Sequence, residues 1–271
     1  MDFATVAGVL LAVVSLVMGF TLDGGNLNAL VQPTAFLIVV GGTLGATLTS
    51  VSLKEFIGLL KYIRVSLISK QRSPLNVIDD IVRLATIARR EGLLALEGHI
   101  ANLEDEFTRK GIQFVVDGVD QELIKTMLET ELAYIDKRHD AAAHIFEMAG
   151  GFAPTMGIIG TVMGLVHVLS DLSNVDTLGQ KIATAFTATL YGVASANVFW
   201  LPLANKLRRR HMAERLTYEI VMEGVLSIAA GQNPKILDQK LRAFLASSVR
   251  QRIDEKSGPD VVADEAVSLG E

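Results

Sequence analysis

The stretch from Phe152 to Leu172, FAPTMGIIGTVMGLVHVLSDL, decides how the rest of the chain is read. A helix needs about 20 mostly apolar residues to cross a bilayer, and this one has that length with its only formal charge, Asp171, at the far end. A helix on the surface of a soluble domain would carry a polar face; this stretch has none. Working outward, three further windows have the same character: Phe3 to Phe20, Pro33 to Leu53 and Ile182 to Leu203. The short polar links TLDGGNLNALVQ and SNVDTLGQK join these windows into two hairpins. The reading is therefore an all-α polytopic membrane protein of four transmembrane helices. Residues 1–53 form the first hairpin (spans 3–20 and 33–53) and 152–203 the second (spans 152–172 and 182–203). Residues 54–151 form a helical cytoplasmic domain, 204–252 form C-terminal cytoplasmic helices, and 253–271 form a disordered tail. Composition agrees, with 50% of the 271 residues hydrophobic and 20% charged. The apolar N-terminus has Asp2 in place of a basic leader and no small-residue cleavage site after it, so it reads as a retained span.

Orientation follows from the basic residues, which stay on the cytoplasmic side of span ends. Of the 25, the loop from Lys54 to Gly151 holds 13, the segment after the fourth span holds 11, and the two hairpin turns hold only Lys181. Both termini are thereby placed in the cytoplasm. The loop reads as helical throughout. LKEFIGLLKYIRVSLISKQR sets Phe56, Leu59, Leu60, Ile63 and Leu67 against basic positions, the pattern of a helix at the headgroup level or of one packed on its neighbours. Ser73 and Pro74 start a helix that stops near Gly92, a second runs from Leu93 to a stop at Gly111, and a third begins near Asp120 with no break before Gly150.

The most informative feature inside the membrane is an absence: no span carries Asp, Glu, Lys or Arg in its interior. Ion-coupled transporters keep ionisable groups at depth, because a carboxylate binds and releases the ion. This chain either moves no ions or borrows its carboxylate from a partner. What the last two spans do carry is small and hydroxylated. Gly157, Gly160 and Gly164 share a face with Thr161, which allows close helix packing. Thr184, Thr187, Tyr191 and Ser195 recur at helical spacing on the fourth span, with Thr189 and Asn197 off that stripe. These hydroxyls face protein or a hydrated path, or they satisfy carbonyls of their own helix. Gly8, Ala12, Ser15 and Gly19 repeat the packing pattern on the first span. Pro154 opens the third span and Pro202 closes the fourth, either as punctuation or as a pair of hinges.

Several classes are excluded. The net charge of −5, with basic and acidic residues interspersed, gives no nucleic-acid footprint. With no cysteine there is no disulfide, thiolate nucleophile or cysteine metal site. His139 and His144 are five apart, off the four-residue spacing that pairs imidazoles on one face, so no metal site is read. No phosphate loop, zinc-protease helix or nucleophile-base pair marks an enzyme.

The strings ARREGLLALE (Ala88 to Glu97), DKRHDAAAHIFEMAGGFAPTMGIIGTVMGLV (Asp136 to Val166), ATLYG (Ala188 to Gly192) and VMEGVLSIAAGQNP (Val221 to Pro234) resemble the MotA/PomA family, flagellar stator A subunits, in the same order along the chain. The resemblance runs from the first span to about Phe244. It implies a ring of five such chains around two B subunits of the MotB/PomB type in the bacterial inner membrane, with the B helix supplying the membrane aspartate. It also implies rotor contact, through the switch protein FliG, by Arg89, Arg90 and Glu97, for which a salt bridge or a merely solvated face is the alternative. By the same match Pro154 and Pro202 couple ion flow to movement, and Thr161 and Thr189 flank the ion path, with Thr187 and Tyr191 counted in the same pathway. No cofactor is implied beyond the transported cation. Thr161 tilts the choice to sodium over proton, while Gln32 and Ala188 depart from the sodium-type pattern. Alternatives are an ExbB/TolQ-like energiser, usually with three spans, and a non-conducting scaffold, which leaves the hydroxyls unexplained.

Overall fold

A computed structural model describes residues 3–58, 62, 72–103, 105–170 and 175–256. Among these, every regular element is helical and four helices are long and apolar enough to cross a membrane. The chain divides into two compact units, one built from Met1–Lys70 and Asp136–His211, the other from Gln71–Ile135 and Met212–Glu271.

The first unit contains the spans. Helix α1 (Phe3–Leu22) buries no residue fully: Thr5, Ala7, Val9 and Ala12 are half-buried, while Leu10, Leu11, Leu16 and Met18 are exposed. The second span is assembled from α2 (Pro33–Phe36), a π-helical turn at Leu37–Gly41, and α3 (Gly42–Ser50). Pro33 sits at the first helical position, where its missing N–H costs nothing. Helix α4 (Leu53–Ile57) begins with a full capping box, the Ser52 hydroxyl taking the Glu55 N–H and the Glu55 carboxylate taking the Ser52 N–H. Within it, Phe56 packs against the cluster of Ile145, Phe146, Leu203 and Ala204, while Leu59, Leu60, Ile63 and Leu67 lie outside the described residues. The third span belongs to α8 (Gln121–Leu169). The fourth is α9 (Val175–Ser195), a second π-helical turn at Ala196–Trp200, and the start of α10 (Leu201–Ala229).

The second unit has a hydrophobic core of its own. Helix α5 (Pro74–Glu91) buries Val77, Ile78, Ile81, Leu84 and Ala85, the three- and four-residue spacing of one helical face. It meets Ile124, Leu128, Ile220, Val225 and, from α11 (Pro234–Arg242), Leu237 and Leu241. Gly92 ends α5 with φ 92° and ψ 164°, a conformation that glycine alone adopts freely. A 3-10 turn at Leu93–Leu96 and the short α6 (Glu97–Ile100) follow, then α7 (Glu106–Val116), capped by Asp105. Gly111 therefore lies inside α7 and does not end a helix. Its role is steric, since a methyl group there would sit 2.9 Å from Val225 Cγ2. Helix α12 (Ser247–Lys256) runs past residue 252, and 257–271 lie outside the described residues.

Candidate functional site: the packed pair of spans

The third and fourth spans approach through glycine. A methyl group at Gly157 would lie 2.9 Å from the Ala188 carbonyl oxygen and 3.0 Å from Thr189 Cα; at Gly160 it would lie 2.7 Å from Ala188 Cβ; at Gly164, 2.7 Å from Ala185 Cβ. Real side chains do not come this close, so all three positions need hydrogen in place of Cβ. Gly192 answers them from the fourth span, where an added methyl would meet Gly157 Cα at 3.0 Å. Sequence reading missed Gly192. Its position in ATLYG, four residues after Ala188, was the available signal. On the first span the same kind of pattern does nothing of this sort, since Gly8 and Gly19 have open space around them.

This close approach brings two hydroxyls together. Thr161 Oγ1 and Thr189 Oγ1 are 2.5 Å apart, and Thr161 is 8% exposed. Thr161 also lies 3.0 Å from the Ala185 carbonyl and 3.2 Å from that of Gly157, with Thr189 3.4 Å from the latter. Two hydroxyl protons are available for the contact between the threonines and the two carbonyls. Once those protons are spent inward, the pair has oxygen lone pairs left to offer. Such oxygens can replace part of a cation's hydration shell.

The other hydroxyls are elsewhere. Thr184, Thr187 and Ser195 donate to the carbonyls of Gln180, Ala183 and Gly192 in their own helix, which is the self-satisfying alternative. Tyr191 donates to the Leu30 carbonyl and accepts the Gln32 N–H at 3.2 Å, tying the fourth span to the link between the first two. In this geometry it is an anchor between the two hairpins. The second span adds a feature that sequence reading passed over. Thr43 and Thr47 are fully buried; Thr47 donates to the Thr43 carbonyl at 2.7 Å, while Thr43 Oγ1 has no hydrogen-bond partner among the described residues.

Pro154 lies inside α8 and removes the bond to the carbonyl of Gly150, four residues back. Gly150 in turn packs against Leu201, where a methyl group would come within 2.6 Å of Cδ2. Leu201 precedes Pro202, which follows the π-helical turn that takes up an extra residue ahead of it. The weakened hydrogen-bond ladders of the two helices thus lie side by side. On the same unit, the Arg208 guanidinium grips both oxygens of Glu147 at 2.8 and 2.9 Å, a two-pronged bond between α8 and α10.

Arg89 and Arg90 stand exposed in the last turn of α5, and Glu97 stands exposed at the start of α6. No ion pair among the described residues engages any of the three. Among the described residues the three side chains are surface charges flanking the Gly92 bend.

The fold and this geometry define a class: a polytopic helical membrane protein whose last two spans close tightly around hydroxyls and contain no acid of their own. Residues 6–92 match the model for the motility protein A N-terminal region, and residues 99–220 match that of the MotA/TolQ/ExbB proton channel family. Motility protein A of Bacillus subtilis is 39% identical, covering 94% of this chain and 95% of its own length. Chemotaxis protein PomA of Vibrio alginolyticus is 36% identical, covering 94% and 100%. Among solved structures, the flagellar MotAB stator complex from Bacillus subtilis superposes with a TM-score of 0.87 at 39% identity, over 92% of this chain and 98% of that one. MotAB of C. jejuni gives 0.87 at 32%, over 91% and 97%. The chain belongs to the motility protein A family of flagellar stator subunits, a family of membrane channel and motor components and not of enzymes.

Proposed function

We propose that this chain, as a ring of five copies around two B subunits in the bacterial inner membrane, converts cation flow into torque on the flagellar rotor. The observation that carries the reading is the pairing of Thr161 with Thr189 in a wall without acidic groups. Such a wall can help to strip water from a cation, but it cannot by itself supply the charge that binds one. A carboxylate on the B helix fills that role. A cation that neutralises this carboxylate lowers the cost of carrying it past apolar side chains, and release toward the cytoplasm recharges it. Alternate loading of the two B helices then biases the ring to step. Pro154 and Pro202, where the helix ladders are weakest, pass the movement to the cytoplasmic side.

Torque leaves through Arg89, Arg90 and Glu97, which reach the rotor protein FliG by charge. Exposed charges of this kind engage and release quickly, as a stepping contact requires. The match of residues 6–92 and the presence of four span-length helices favour a stator over an ExbB/TolQ-type energiser. The threonine pair favours sodium over the proton, since a proton needs no oxygen cage. With both termini in the cytoplasm, the basic residues lie where the positive-inside rule puts them.

The test is swimming speed of a strain complemented with this chain, measured separately against external sodium and against proton motive force. Speed should follow sodium, and Thr161→Ala should flatten that dependence. Speed that ignores sodium in both proteins rejects the sodium assignment.

A further inference from the structure

His139 pairs with a residue 72 positions away. Its Nδ1 lies 3.1 Å from Nδ1 of His211, with the two rings edge to face at 89°. His139 is on α8 and His211 on α10, both within the span-bearing unit, fifteen residues before Pro154 and nine after Pro202 respectively. On the far side of the His211 ring, Nε2 lies 3.1 Å from Oδ1 of Asp136. That oxygen is buried and its contact with Nε2 falls outside hydrogen-bond alignment, so the carboxylate acts on the ring through its electrostatic field.

From this arrangement we infer that His139 and His211 form a binding site for a borderline transition-metal dication such as Zn2+, Co2+ or Ni2+. Three features point to a metal. First, the carboxylate of Asp136 favours the proton of neutral His211 on Nε2, which leaves Nδ1 as a lone pair directed at His139; a carboxylate behind a ligating imidazole is the usual way of fixing tautomer and ring orientation. Second, two imidazole nitrogens bonded to zinc at about 2.0 to 2.1 Å are roughly 3.0 to 3.4 Å apart, depending on the bond angle, and the observed separation is 3.1 Å. Third, His211 has a side chain only 11% exposed, so its orientation is held by packing as well as by Asp136. Imidazole pairs select zinc, cobalt, nickel or copper over magnesium, calcium or sodium, which prefer oxygen, so this site is chemically separate from the ion path. A dication bound here bridges α8 and α10 on the cytoplasmic side of the two prolines and pins helices that must move during stepping.

The experiment uses the full chain assembled with its B subunit, stripped with chelator and titrated with Co2+. The expected result is about one Co2+ per chain with visible absorption bands of nitrogen-ligated cobalt, lost in both His139→Gln and His211→Gln. Asp136→Asn should weaken binding by roughly 10- to 100-fold, the usual cost of removing a carboxylate behind a ligand. Because a substituted chain can fail for want of folding, the unsubstituted complex is also loaded with Zn2+ and its ligands read by X-ray absorption. Two imidazole nitrogens support the site. An oxygen-only shell, undiminished Co2+ binding in the double glutamine variant, or no binding at millimolar Co2+ overturns it.

Discussion

At the scale of single residues, space and charge give opposite kinds of prediction. Gly157 is enclosed by backbone of the fourth span, with the Ala188 carbonyl and Gly192 Cα both within 3.2 Å of an added methyl group. Neither backbone atom can swing aside as a side chain would. Gly157→Ala should therefore destabilise the purified complex by about 1 to 3 kcal/mol, the usual range for overpacking, whereas Gly8→Ala, which meets open space, should be neutral or mildly stabilising. Thermal retention of solubility in detergent distinguishes the two. Arg89 and Glu97 are exposed and engaged in no ion pair among the described residues, so reversing either charge should leave thermal stability and membrane insertion unchanged while impairing motility. Normal swimming by Arg89→Glu, by Glu97→Arg and by the double variant would remove them from the rotor contact. The residue scale also shows where sequence falls short. Thr161 and Thr189 are legible as hydroxylated positions, but their 2.5 Å contact is fixed by glycines on both helices. The partner of His139 is on another helix altogether, so spacing within one helix, which compares it only with His144, cannot reveal it.

At the scale of elements, apolar runs and their punctuation are legible because a bilayer imposes length and composition together. The helices that contain the four spans, Pro74 at the head of α5, and Gly92 at its end all follow from such local rules. The π-helical turns at Leu37–Gly41 and Ala196–Trp200 do not, since an extra residue in a turn is stabilised by what the helix packs against. Gly111 has the same lesson in reverse. As punctuation it reads as a stop, yet α7 passes through it because Val225 occupies the space that a side chain would need. Among charged links, Lys110 joins α7 to α8 through Glu131 at 2.8 Å and also reaches Glu106 at 3.2 Å. The hydrogen bonds it donates to Glu131 and then to Glu106 hold its ammonium above the usual lysine value. A raised lysine contributes its stability in full below the unfolded value and loses it as pH rises through the folded one. The Lys110→Met variant should thus be less stable than the parent by a constant amount from neutral pH upward, with the gap closing only in strong alkali. Because Lys110 is 44% exposed, that amount should stay below about 1 kcal/mol; denaturant unfolding at several pH values measures it.

At the scale of the whole molecule, membrane class is the most legible property and partner dependence the most consequential. Four helices of span length, with no Asp, Glu, Lys or Arg in the interior of any predicted span, suit a subunit that walls an ion path and, as proposed, takes its carboxylate from a partner. Helix α1, with no fully buried residue, adds that part of the apolar surface is left for lipid or for other chains. Neither the number of copies nor the identity of the rotor contact is written in helix lengths, because both depend on surfaces that other chains complete. What a single chain does establish is the missing carboxylate. The decisive measurement is cation flux into liposomes containing this protein, purified alone or together with its B subunit. The paired preparation should conduct, and should stop conducting when the B-helix acid is replaced by its amide; the protein alone should be silent at the same density. Cation flux through the protein alone would contradict the account at its root.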